Sequence, residues 1–276
     1  MTEEKFKKIY CGLYKHKSNF IDLMEGVINK LDIRNTKYVR NKKYTTREYI
    51  TGIIEVLSNN TSWRKYNGKI SGRILNNKHN YYVRLGVYDE LYKPTLELYT
   101  RIKEEPIKVI SIDSTFIANK NGTEKIARNI FYKNKRGRKI SVAVDESGVP
   151  LTVHLSKGNK HDARIAPKII NKLLINKTSE EKLILTDKAY DSKKIRQLIR
   201  SKNYNPIISE RRYRNSKKRT IKKKYRKIYK KRIIVENFFA WLKAFSKIDK
   251  IYEKTTKSYL GLLYLAISII IYRKIN

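Results

Sequence analysis

Cysteine is all but missing from this 276-residue chain. The single Cys11 excludes a disulfide framework and any cysteine-based zinc site, and it suits a reducing compartment. Histidine is sparse too, since His16, His79, His154 and His161 are scattered without metal-ligand spacing. Acid is scarce: 25 Asp and Glu face 64 Lys and Arg, a formal net charge of +39. No apolar run reaches the roughly 20 residues that span a bilayer. The longest, Leu260–Tyr272, reads as a buried C-terminal helix. The opening "MTEEKFKKIY" lacks the apolar core of a signal peptide, so an intracellular, non-secreted protein without membrane partners is expected. So large a positive charge calls for a polyanion. Nucleic acid comes first, because phosphate neutralisation by Lys and Arg supplies most non-specific affinity.

Periodicity divides the chain. Residues 1–105 show helical spacing, as in "TTREYITGIIEVLSNN", which has a capping residue at Thr45 or Thr46. Two further helices are expected in the stretch before residue 105, separated near Lys93–Pro94. This reads as a small helical, DNA-binding domain. Residues 106–276 change character. Strand-like runs "IKVISID", "RKISVAVD" and "VPLTVHLS" lead to a helix, the strand "EKLILTD", a second helix and the short strand "NPIIS". Helices follow. The order predicts an α/β fold, a mixed sheet of ribonuclease H-like type flanked by helices. Within it, residues 211–232 hold 14 Lys or Arg and no acid, an expected DNA-contacting segment. Tyr213, Tyr225 and Tyr229 interleave with these cations and are candidates for stacking on unpaired bases.

Three acids take informative places. Asp113 is expected to close the first strand and Asp187 the fourth, neighbours in such a sheet. Glu236 lies in "YKKRIIVENFFAWLK". Drawn as one helix at about 100° per residue, this segment puts Tyr229, Arg232, Glu236 and Lys243 on one stripe. Ile234, Val235, Phe238, Trp241 and Leu242 fall opposite, and Trp241, like Trp63, reads as core. Clustered carboxylates repel one another unless they hold cations, and their hard oxygens favour Mg²⁺ or Mn²⁺. Two such ions suit phosphodiester chemistry. The aspartates also have a bland role: Asp113, Asp187 and Asp191 could cap turns or helices, and Asp162 could cap the helix after "GNKH".

These residues resemble a known family, the DDE transposases of bacterial insertion sequences, in the group that includes insertion sequence families four and five. Tyr229, Arg232, Glu236 and Lys243 reproduce its Y-x2-R-x3-E-x6-K signature. "IDST" and "TDKAYDS" resemble its two aspartate motifs, which points to Asp187 over Asp191. The similarity covers roughly residues 107–273, and Ser141 stands where the family often has histidine. It implies Asp113, Asp187 and Glu236 as catalytic metal ligands for Mg²⁺ or Mn²⁺, with two ions expected. It implies Tyr229, Arg232 and Lys243 on DNA, where Lys139, Arg226 and Lys230 are expected as well. The partners would be transposon ends and target DNA, bound by a homo-oligomer, in a bacterial nucleoid or, in a eukaryotic host, a nucleus or viral factory. A nuclease that cuts without joining, and an inactive DNA-binding remnant, are the rival readings.

Overall fold

A computed structural model describes residues 20–32, 43–59, 61–103, 105–173, 180–209 and 221–275. Cys11, His16, Tyr213 and most of the first half of the basic run 211–232 lie outside them. The described residues form two compact units, one built from residues up to Lys103 together with those from Leu242 onward, the other from those between.

Among the described residues the first unit contains the helices α1 (Phe20–Leu31), α2 (Thr46–Ser58), α3 (Gly72–Leu85) and α4 (Val87–Ile102). Thr45 caps α2 in a reciprocal box. Its hydroxyl accepts from the Glu48 amide while the Glu48 carboxylate takes the Thr45 amide. The break expected near Pro94 lies instead at Gly86, whose φ of +75° closes α3 and opens α4. Only a residue without Cβ adopts that backbone cheaply. Pro94 is buried inside α4, and the helix continues through it, with the Thr95 hydroxyl bonded to the Leu91 carbonyl.

The second unit is a mixed sheet. Its strands are β1 (Val109–Asn119), β2 (Ala127–Asn129), β3 (Lys135–Asp145), β4 (Pro150–Lys157), β5 (Leu183–Thr186) and β6 (Asn205–Ile208). The long β3 pairs antiparallel with β1 on one edge and with β2 and β4 on the other, while β1, β5 and β6 run parallel. β2 has only three residues, too few for a periodic signal in the sequence. Helices α5 (Asp162–Ile170) and α6 (Lys193–Ser201) cover one face, closing over Ile110, Ile112 and Ile184. On the other face Val109, Leu183, Leu185 and Ile207 meet Tyr225, Ile228 and Tyr229. Tyr225 is therefore core, its hydroxyl donating to Glu181, and it does not stack on bases. The strand period of two decides which side chains go to which face.

Gly137 in β3 is a point of close approach. A Cβ there would lie 2.2 Å from the Ile117 carbonyl oxygen and 2.5 Å from the Phe116 ring. Gly137→Ala should cost about 1–3 kcal/mol, the usual penalty for overpacking. Equilibrium urea unfolding checks this, with a lowered midpoint at unchanged slope expected.

The chain leaves the sheet through α7 (Arg226–Tyr229), a 3₁₀ turn over Lys230–Arg232, and α8 (Ile233–Lys243). The signature segment is thus not one continuous helix. Trp241 is 37% exposed rather than core, because it covers the turn glycine Gly148 at the sheet's margin. Trp63 is half-buried. The short α9 (Ser246–Asp249) and long α10 (Thr256–Ile275) pack within the first unit. By length and composition α10 is apolar enough to cross a membrane, yet most of it is buried here. Gly261 lets it approach Val83 and Tyr88, and Tyr264 stacks on Tyr92 with centroids 5.0 Å apart.

Candidate active site

The parallel ladder between β1 and β5 ends at the rung Ile112↔Thr186. Asp113 and Asp187 each follow that last rung, so the two carboxylates flank one point at the edge of the ladder. Asp113 does not close its strand as expected. β1 runs on to Asn119 because residues 114–118 pair with β3. Alternation sends Asp113 and Asp187 to the face of Val109 and Leu185, the face covered by the segment from Tyr225 to Tyr229.

Arg232 meets the acids there. Its guanidinium donates to Asp113 Oδ2 at 2.8 Å and to Glu236 Oε1 at 3.0 Å. Tyr229 supports the junction, its hydroxyl donating to the Thr186 carbonyl at 3.0 Å. Asp113 Oδ1 accepts the Ser114 amide, and Asp187 Oδ1 accepts the Ala189 amide. Asp187 does cap a turn, with one oxygen only. Asp191 is tied to Arg196 at 2.9 Å, a structural pair. Burial pushes the Asp113 carboxyl up to about 6. The Ser114 amide and Arg232 pull against this shift, and the neighbouring Asp187 charge adds to it.

On the opposite face Asp162 accepts from the Ser114 hydroxyl and from Lys139 Nζ at 3.0 Å. It does not cap α5, whose N-cap is His161 without a side-chain bond. Lys139 is thus engaged by a carboxylate. Arg226 and Lys230 are exposed, and Lys243 is half-buried in the last turn of α8.

A cavity of about 1020 Å³ opens over this edge, lined by Asp113, Asp187, Ser114, Lys139, His161 and Asp162. Ile130 and Phe131 also line it, 84% and 91% exposed. The turn holding them is well anchored. Buried Asn129 accepts the Phe131 amide and donates to the Gly158 carbonyl, and Tyr132 stacks on Phe116 at 4.6 Å. The expectations from sequence passed over this turn. Its signal was an apolar triplet, "IFY", inside the basic "RNIFYKNKRGR".

The donors here are carboxylate oxygens, which suit a hard divalent cation. Among the described residues no three Asp, Glu, His or Cys side chains converge on one point. Arg232 supplies the positive charge between Asp113 and Glu236 instead. Of the carboxylates, Asp113 and Asp187 are the pair that could hold such a cation, while the Glu236 carboxylate is paired with Arg232.

Residues 104–271 match the transposase DDE domain. The chain belongs to this family. In fold the transposase is similar to the piggyBac transposase of a synaptic complex with hairpin DNA. The TM-score is 0.52 at 12% identity, over 98% of this chain and 74% of that one. The catalytic domain of Mos1 mariner transposase also aligns, at 14% identity over 76% of this chain and 98% of that one. Its TM-score of 0.28 adds nothing to the fold assignment. No curated protein matches the sequence. The ribonuclease H-like mixed sheet flanked by helices is therefore as expected, and the chain is a DNA transposase. Transposases of the DDE class use divalent metal ions and act on DNA inside cells.

Proposed function

We propose that this transposase cuts DNA at the ends of an insertion sequence of the family four and five group, freeing 3′-hydroxyls, and then joins them to target DNA. Asp113, Asp187 and Glu236 form its catalytic centre. The observation that carries this is the common end of β1–β5 pairing. It sets two carboxylates on the face where Arg232 links Asp113 to Glu236. These three acids would hold Mg²⁺ or Mn²⁺, two ions by the chemistry of the reaction, which supply a nucleophile and stabilise the leaving oxygen. Tyr229 and the Ser114 amide fix the acids' supports. Arg232, released from Asp113, swings to a DNA phosphate, and Lys243, Arg226 and Lys230 extend the basic track. Lys139 is held by Asp162 at the cavity wall, where it faces the DNA. Ile130 and Phe131 border the same cavity and meet the bases beside the cut. The helices before residue 105 add DNA contact, and two or more copies pair the two ends, as synapsis of both ends requires.

Arg232→Gln should slow cleavage about 10- to 100-fold, because charge-assisted hydrogen bonds are worth about 1.5–3 kcal/mol. Single-turnover rates on labelled duplex check this. The reading as a whole is tested with DNA carrying the sequence that flanks this gene, in Mg²⁺ or Mn²⁺, beside a second target duplex. Discrete 3′-hydroxyl ends that become joined to the target are expected. Cutting without joining would favour the nuclease reading, and binding without cutting the inactive remnant.

A further inference from the structure

Lys247 in α9 is 1% exposed, and its ammonium has no hydrogen-bond acceptor. The Trp63 and Tyr252 rings flank it, each with its centroid 5.2 Å from Nζ. Glu253, the acid whose charge acts on Lys247, is otherwise engaged. Its two oxygens accept from Trp63 Nε1 at 2.8 Å and from the Ser258 hydroxyl at 2.7 Å. Burial lowers the Lys247 pKa, with Glu253 opposing the shift. A buried ammonium without an acceptor is costly, and aromatic faces return only part of that cost. An apolar residue of similar shape would suit a purely structural position better.

Lys247 lines a pocket of about 270 Å³ together with Asn59, Thr61, Ser62, Lys65 and Tyr252. Among the described residues no carboxylate lines it. The Thr61 hydroxyl is also buried without a partner. Two unsatisfied donors, one of them cationic, thus border one open hollow within the first unit. We infer that this hollow is a phosphate-binding site, occupied by a backbone phosphate of DNA that accepts from Lys247 Nζ and the Thr61 hydroxyl. The choice of DNA over a free phosphate rests on the transposase reading, and the site lies outside the three-acid centre. Trp63, stacked over the lysine's cation, is a built-in reporter of its occupancy.

The test uses the full chain and two variants, Lys247→Met and Thr61→Val, each also made with Trp241→Phe so that Trp63 is the one remaining tryptophan. Lys247→Met should melt no lower than wild type, since it removes a desolvated charge. Its affinity for a duplex oligonucleotide should fall about tenfold at moderate salt. The slope of log affinity against log salt should become shallower by about 1, the loss of one phosphate contact. Thr61→Val should weaken binding several-fold with little effect on melting, which keeps the test valid if Lys247→Met fails to fold. The Trp63 emission change on adding DNA should vanish in Lys247→Met. Unchanged affinity and slope in both variants would overturn the proposal. So would a Trp63 response to inorganic phosphate with none to DNA, which would assign the hollow to a free anion. Metal-dependent cleavage, run on the same preparations, separates the two readings. A wild type that cuts while the variants bind DNA normally sinks this site alone. A wild type that never cuts while Lys247→Met loses a phosphate contact sinks the transposition reading alone.

Discussion

Asp113→Asn is expected to leave the fold and DNA binding intact while slowing metal-dependent cleavage by about 10³-fold or more. A bound cation supplies several kcal/mol of charge stabilisation in phosphoryl chemistry, and each 1.36 kcal/mol is tenfold in rate. The amide keeps the shape of the carboxylate, so the Ser114 backbone bond to Oδ1 survives, and relief of repulsion from Asp187 offsets the weakened pair with Arg232. Asp187→Asn should behave alike, since its capping bond from the Ala189 amide needs only one oxygen. Glu236→Gln should lose as much, although Glu236 is half-exposed and stabilises little. Asp191→Asn is the internal control. It loses the ion pair to Arg196 and with it up to about 1 kcal/mol of stability, but keeps its cleavage rate. Gel shifts confirm binding, and product formation in Mg²⁺ and Mn²⁺ gives the rates. An Asp191 variant as inactive as the other three would move the second ligand to that position.

The second large effect concerns stability. His79 is fully buried, with Nδ1 against the Tyr88 hydroxyl at 2.7 Å and Nε2 against the Ser258 hydroxyl at 3.0 Å. Trp63 stacks on its ring at 5.6 Å. Burial holds its pKa down to about 4, while Glu253 and the Ser258 backbone oppose the shift and Lys247 adds to it. The folded state thus binds the proton more weakly than the unfolded chain, whose histidine titrates near 6.5. The stability is fully present above about pH 6.5 and is lost as pH falls toward 4, about 3 kcal/mol in all. Urea unfolding between pH 7.5 and 4.5 should show this loss. His79→Gln, which keeps a hydrogen-bonding side chain and cannot charge, should flatten the curve over that window. A variant with the wild-type slope would place the acid sensitivity elsewhere.

The sequence shows much of this site because its parts obey short-range rules. Apolar runs ending in Asp113 and Asp187 mark strands whatever the tertiary context, and the 3, 4 and 7 spacing of Tyr229, Arg232, Glu236 and Lys243 marks a helical face. What stayed hidden depends on contacts far apart along the chain. Asp113 lies inside β1 because β3 supplies a second partner strand, and no local pattern announces that pairing. Asp162 bonds Ser114, 48 residues away, instead of capping its own helix. The 3₁₀ turn at Lys230–Arg232 shifts the phase of the signature helix, and its all-basic composition hides the change. Gly86 outweighs Pro94 as a breaker because a left-handed glycine ends a helix directly, while α4 runs on through its buried proline. Lys247 is buried, yet its sequence neighbourhood does not set it apart from the other Lys and Arg, 64 in all.

The proposed function requires Asp113, Asp187 and Glu236 to act together as one metal site. The most direct measurement is Mn²⁺ binding, followed by electron paramagnetic resonance, to wild type and the three single amide variants in the presence of end DNA. Saturable Mn²⁺ binding is expected in wild type, with a marked loss of affinity in each variant, Glu236→Gln included. Wild-type affinity and stoichiometry in Glu236→Gln would contradict it and leave Asp113 and Asp187 without their third partner on α8.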